Sequence, residues 1–246
     1  MGKTKTKTPK VKFTCFTEEA VKKYPIIPSG KNHLKWMKRA IQYYKSIPTN
    51  DLKKITKCPG IASIINEGWI LRSSMHVKIL TKGDGKNFWW GTSEDQIQTE
   101  AGKIFSRYSG DYVHFHPPEQ LMQFHEKTPN TLETIIKIQT PWFVEIPKGY
   151  SLLTMPLPYS DDKRFTAAAG ILRGNQPLNV QLYWHCLNSE EVIPAGTPLN
   201  QMVLIKDETI GYEVNYEPNS TQYIKEKFDK KIIKPLDFYK RKKKIN

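Results

Sequence analysis

His114 and His116 flank Phe115 in the run Asp111-Tyr112-Val113-His114-Phe115-His116. On a strand, residues two apart share a face, so both imidazoles would point the same way, as the paired histidines of a metal site do. With His125, and with Glu119 or Glu126, they form a candidate facial set for a divalent metal such as iron or zinc. The competing reading is two strand histidines that hydrogen-bond a neighbouring loop. A second candidate is the charged run Ser160, Asp161, Asp162, Lys163 and Arg164, with Arg173 nearby in the expected strand order. Guanidinium groups grip phosphate or carboxylate with two parallel hydrogen bonds, so Arg164, Arg173, Ser160 and Asp161 are candidate ligand-binding residues, against an ordinary salt-bridged loop. His185 beside Cys186 suggests a thiol and its base, but neighbours on a strand face opposite ways and do not pair. No complete catalytic set emerges, and no cofactor is expected beyond the metal alternative.

The elements that must position these residues read mainly as strands. Val11 to Phe16 alternates apolar and polar residues; Trp69-Ile70-Leu71 and Met75, Val77 and Ile79 predict two strands; Gly83-Asp84-Gly85 turns the chain toward Phe88-Trp89-Trp90. Three consecutive aromatics cannot all face inward, so at least one of Phe88, Trp89 and Trp90 is expected half exposed or under a loop, in a core or interface role rather than stacking a base. Leu34, Met37, Ile41 and Tyr44 recur at helical spacing and predict an amphipathic helix ending before Pro48. Cys58 to Ile65 reads as a short helix or a buried strand. Ile135, Ile136 and Ile138, with Trp142, Phe143, Val144 and Ile146, predict a strand running into the corner Ile146-Pro147-Lys148-Gly149. The corner recurs at Ile193-Pro194-Ala195-Gly196, with proline expected at the second turn position and glycine at the fourth. The expected fold is mainly β, with some α: a β-sandwich or β-clip-like barrel carrying one or two short helices near the start. The expected layout is a basic tail over 1–12, one β-rich domain over 13–224, and a basic tail over 225–246.

The chain has 246 residues and a formal charge of +14. Five lysines fall in residues 1–12 and a net seven positive charges in 225–244, so the ends hold all but two of the fourteen. A broad basic groove across the body is therefore not expected; the ends act as solvated tails or make weak, salt-sensitive contact with nucleic acid. Cys15, Cys58 and Cys186 match neither a zinc spacing nor a disulfide framework and read as thiols in a reducing compartment. No apolar run suits a signal peptide or a membrane span, and Met1-Gly2 before lysines reads as a tail rather than a lipidation signal.

Glu145 to Tyr150, Met155-Pro156, Gly170-Ile171-Leu172, Val180 to Tyr183, Ile193 to Gly196 and Gln201 to Leu204 are similar in order and spacing to the dUTPase and dCTP deaminase superfamily, over about 142–206. The resemblance implies a β-clip type of fold and, by analogy, a homo-oligomer. It does not carry the activity over: Arg173 stands where those enzymes have the aspartate that serves water and sugar, and Ser160-Asp161 lacks the arginine before the serine. Lys35-Trp36-Met37-Lys38, Gly68-Trp69-Ile70, Ile146 to Tyr150, Asp162 to Phe165 and Pro194 to Gln201 resemble, across most of the chain, an uncharacterised family found in tailed phages and some bacteria. That resemblance brings no known chemistry; with the missing catalytic set and the charge confined to the ends, it leads to the expectation of a phage-encoded, non-enzymatic binding or structural protein with a protein partner, in the host cytoplasm or the virion. An enzyme of the dUTPase or metal-bearing barrel type, using His114, His116 and Arg173 on a small anion, is the alternative. A nucleic-acid binder working through the tails is a third.

Overall fold

The computed structural model describes residues 9–32, 34–46, 59–92, 112–121 and 130–214. The contacts group the chain into two units, 1–47 with 65–207, and 48–64 with 208–246. The described part of the second is Pro59–Ile64 of a helix and residues 208–214, which form no regular element.

Among the described residues the first unit holds four antiparallel sheets. One orders β1 (Lys12–Cys15), β8 (Trp142–Glu145) and β12 (Asn175–Pro177); the second orders β10 (Phe165–Ala167), β13 (Val180–Trp184), β7 (Ile135–Ile138) and β6 (Val113–His116). The third runs β11 (Gly170–Leu172), β9 (Tyr150–Met155), β15 (Pro198–Lys206), β3 (Trp69–Arg72), β2 (Ile27–Pro28); the fourth is β14 (Glu190–Ile193), β4 (Val77–Thr81), β5 (Phe88–Gly91). Period-two alternation aims one residue set from each sheet inward: Val144, Ile136, Leu182, Leu152, Leu71 and Val77 are essentially unexposed and belong to one cluster. This is the β-sandwich-like architecture the pattern predicts.

Among the described residues the α-helices are α1 (Glu18–Lys23), α2 (Lys35–Ser46), α3 (Pro59–Asn66) and α4 (Pro118–Leu121). The periodicity predicts α2, and α3 resolves the choice at 58–65 in favour of helix. The expectations passed over α1, although its cues are written locally. Thr17 accepts a hydrogen bond from Ala20 N at 3.3 Å, acids open the helix and lysines close it.

Two expectations about strands need revision. The apolar run 135–146 is two strands in different sheets, broken at Gln139–Pro141, where Leu178 N and Phe16 N take the carbonyls of Trp142 and Pro141. The two proline corners hand the chain from one sheet to another, β8 to β9 and β14 to β15. Their turn frame lies one residue later than expected: Tyr150 N bonds Pro147 O at 3.1 Å and Thr197 N bonds Pro194 O at 3.0 Å. Proline thus holds the first position, and Gly149 (φ 81°) and Gly196 (φ 86°) the third, where a type II turn needs positive φ.

Candidate functional site

The charged run lies in the loop from Pro156 to Arg164, which joins β9 to β10. Ser160 N reaches back to Leu157 O at 3.3 Å, closing a turn with Pro158 second and Tyr159 third. That third position demands positive φ, and Tyr159 takes it at 58°. A bulky side chain in the left-handed region is strained and persists only where its surroundings hold it. Trp36 of α2 does so: its Nε1–H donates to Tyr159 O at 2.9 Å and the two rings meet edge to face at 6.0 Å.

Asp161 closes the first turn of α2 from outside that helix. Its Oδ2 accepts from Trp36 N at 3.3 Å and its Oδ1 pairs with Arg39 Nη2 at 3.3 Å. A carboxylate there meets an otherwise unpartnered main-chain N–H and the positive end of the helix dipole. Asp162 is gripped by Arg164: Nε to Oδ1 at 2.9 Å, Nη2 to Oδ2 at 2.5 Å, and the Arg164 main-chain N–H to Oδ1 at 3.1 Å. Arg164 Nη1 also donates to the Val192 carbonyl of β14. Burial by itself would raise the Asp162 carboxyl, but the Arg164 side-chain and main-chain bonds outweigh it and hold the group below its ordinary range. The bond to Asp162 holds Arg164 firmly protonated. Ser160 Oγ accepts from Asp162 N at 3.1 Å, and Lys163 Nζ donates to Ser160 O at 3.1 Å.

Two hollows adjoin the loop and share Leu157, Ser160, Asp162 and Lys163 as walls. The larger, about 570 Å³, is also lined by Leu34, Lys35, Thr197 and Pro198. The smaller, about 350 Å³, lies against β10, with Tyr159, Phe165, Ala167 and His185 in its walls. His185 sits between two hydroxyls, with Nδ1 3.2 Å from Thr131 Oγ1 and Nε2 2.8 Å from Thr166 Oγ1. Burial lowers its pKa, so the ring is neutral at pH 7 and donates to one threonine while accepting from the other. Burial likewise raises the Cys186 thiol and disfavours the thiolate.

Of the residues expected to meet, Ser160, Asp161 and Arg164 share this loop, and Arg173 does not. Arg173 follows β11, whose Leu172 pairs with Leu152, whereas the loop departs from Met155 at the other end of β9. The separation is on the order of 10–15 Å along the strand. His114 and His116 lie on β6 in another sheet, where His116 Nδ1 is 2.9 Å from Gln120 Oε1. Among the described residues no three histidine, cysteine or acidic side chains come together as a metal cluster; His125 and Glu126 lie outside them. Cys15 and Cys186 are free thiols, and Cys58 lies outside the described residues. Of the three consecutive aromatics, Trp89 is the one turned outward, with Lys82 Nζ 4.8 Å over its ring.

Lys163 belonged to the expected charged run, whereas Tyr159, Trp36 and Lys35 were not expected as site residues. Pro158 followed by tyrosine rather than glycine was the one local signal for Tyr159; Trp36 and Lys35 meet the loop only through the fold. No known protein-family model matches the chain, and no curated protein shows significant similarity to it. No helix among the described residues is long and apolar enough to cross a membrane.

Proposed function

We propose that this chain is a non-enzymatic binding protein, phage-encoded, whose β body presents a protein-contact surface at the 156–164 loop and whose basic ends serve as tethers. One observation carries the reading: the ionisable groups of that loop are engaged in shaping it. Asp161 is occupied at α2 and Arg39, and Asp162 by Arg164. A general base needs a free lone pair directed at a substrate proton, and these carboxylates direct theirs at their own scaffold. His185 is held neutral between two threonines in the same way. The resemblance to a phage family and the arginine at position 173 support the same reading.

Incubation of the purified chain with each common nucleoside triphosphate and magnesium, manganese or zinc tests it by chromatography of the products. No specific product is expected. Turnover of one nucleotide, abolished by Asp162→Asn, would replace the binding role with an enzymatic one.

A further inference from the structure

β11 is the outermost described strand of its sheet, with β9 on one side and no described strand on the other. The ladder fixes which way its main chain points. Asp207 N donates to Gly149 O at 2.9 Å, in register with the pairing of β15 and β9, so Ser151 and Leu153 turn their main-chain groups to β15, while Leu152 and Thr154 turn theirs to β11. Leu172 and Gly170 stand opposite those two, and the N–H and C=O of Ile171 between them point out of the sheet. Ile171 is 51% exposed, and Ala169 and Arg173 on either side are exposed too, so the edge is accessible. The Ile171 N–H and C=O, the Arg173 N–H and the Ala169 C=O meet no partner among the described residues, whereas Arg173 O accepts from Gln176 Nε2 at 3.1 Å.

Several other outer strands are blunted. Pro28 lies in β2 and Pro177 in β12, Arg164 holds the Val192 carbonyl of β14, and Phe165 and Ala167 of β10 are buried. Gly170–Leu172 has neither a proline nor a charge. Its residue order selects the occupant: Ala169-Gly170-Ile171-Leu172-Arg173 is small before Ile171 and large after it. Laid antiparallel on a second copy about a two-fold axis at Ile171, the strand matches small to large throughout, Gly170 opposite the second copy's Leu172 and Ala169 opposite its Arg173. The two Ile171 residues exchange N–H···O bonds, and each Arg173 N–H meets the other copy's Ala169 C=O. The two guanidinium groups then stand four residues apart along the strands, about 13 Å, beyond the roughly 8 Å over which charges act at physiological salt. Half-buried Leu153 and Val203 extend the row of Ile171 across β9 and β15, so the apolar row runs on through the axis.

We propose that two copies of this chain pair through β11 about a two-fold axis, joining their five-stranded sheets into one. The inference stands apart from the role of the 156–164 loop. A five-residue strand covers far less than the roughly 800 Å² per partner of a tight interface, so a dissociation constant on the order of 100 µM is expected. Sedimentation equilibrium of the full chain from about 10 to 500 µM tests it. The mass should rise with concentration from 28.5 kDa toward twice that value. Ile171→Lys sets two ammonium groups side by side at the axis and should weaken association by about tenfold or more. Val192→Lys makes the same kind of change at an exposed position of β14 and should leave association within about twofold. Facing residues of a hydrogen-bonded antiparallel pair have Cα atoms about 5.5 Å apart, within disulfide reach. Mild oxidation of Ile171→Cys should therefore give a dimer linked through position 171, located by peptide mass mapping, and Val192→Cys should give none through position 192. The cysteine change is conservative at an exposed site, so the test does not depend on how Ile171→Lys folds. A constant 28.5 kDa over the whole range, a mass that climbs past twice that value, equal losses in Ile171→Lys and Val192→Lys, or no excess of linkage at position 171 overturns pairing at β11.

Discussion

Arg164 serves two sheets at once: its guanidinium holds Asp162 in the loop and the Val192 carbonyl on β14. Truncation would leave a partly buried carboxylate and a carbonyl unmet, and hydrogen bonds to charged groups contribute about 1.5–3 kcal/mol each when geometry is good. Both side chains retain about a fifth of their exposure, so water recovers part of that loss. Arg164→Ala is expected to cost about 1–3 kcal/mol in urea unfolding, and Arg164→Lys to restore only part, because an ammonium cannot form the two parallel bonds. His185 governs a different property. Burial sets its folded pKa below the ordinary 6.5. Between those two values the unfolded chain binds the extra proton, so stability is full above about pH 6.5 and falls as the pH drops toward the folded value. Asp162 acts lower: its folded pKa lies below the ordinary 3.8, so its contribution is present above that value and lost as pH falls through the folded one. Comparing melting temperatures at pH 7.5 and 5.5 separates them, since the difference should shrink in His185→Gln and persist in Asp162→Asn. Ser160, Asp161 and Arg164 were legible as a group because they are neighbours in sequence. The distance of Arg173 was not, because it depends on which end of β9 each segment leaves.

At the scale of elements, hydrophobic periodicity located α2, β3, β4 and β5, where one face alternates or repeats cleanly over a whole element. It merged β7 with β8, since two buried strands of different sheets read as one apolar run until Pro141 is weighed. The place of β10 as the outermost of the described strands in its sheet was not legible for a deeper reason: strand order is set by pairings between distant segments, and a three-residue strand carries no mark of being outermost. Gly68 shows the same dependence on a distant partner. It enters β3 at φ 71°, and a Cβ there would lie 1.8 Å from Met202 O on β15. An added methyl meets main chain, which cannot rotate aside, and the backbone also leaves its favoured region. Gly68→Ala is expected to destabilise by more than about 2 kcal/mol, measured as a shifted denaturation midpoint, whereas Gly60→Ala on α3, with open space around it, should be neutral or stabilising.

For the molecule as a whole, charge and fold are segregated along the chain. The strands and the 156–164 loop occupy a stretch of nearly balanced charge, while lysine and arginine gather at the two ends. Ion pairs such as Lys12 with Glu145 and Lys78 with Glu190 are exposed and balance locally. Any affinity for duplex DNA should therefore depend on the ends, through release of counterions as lysines meet phosphates. Replacing Lys240, Arg241, Lys242, Lys243 and Lys244 with glutamine removes five of those charges. The slope of log affinity against log salt should then flatten by up to about 4.5, at about 0.9 per phosphate contact. A slope that stays unchanged would place the DNA contact on the β body instead.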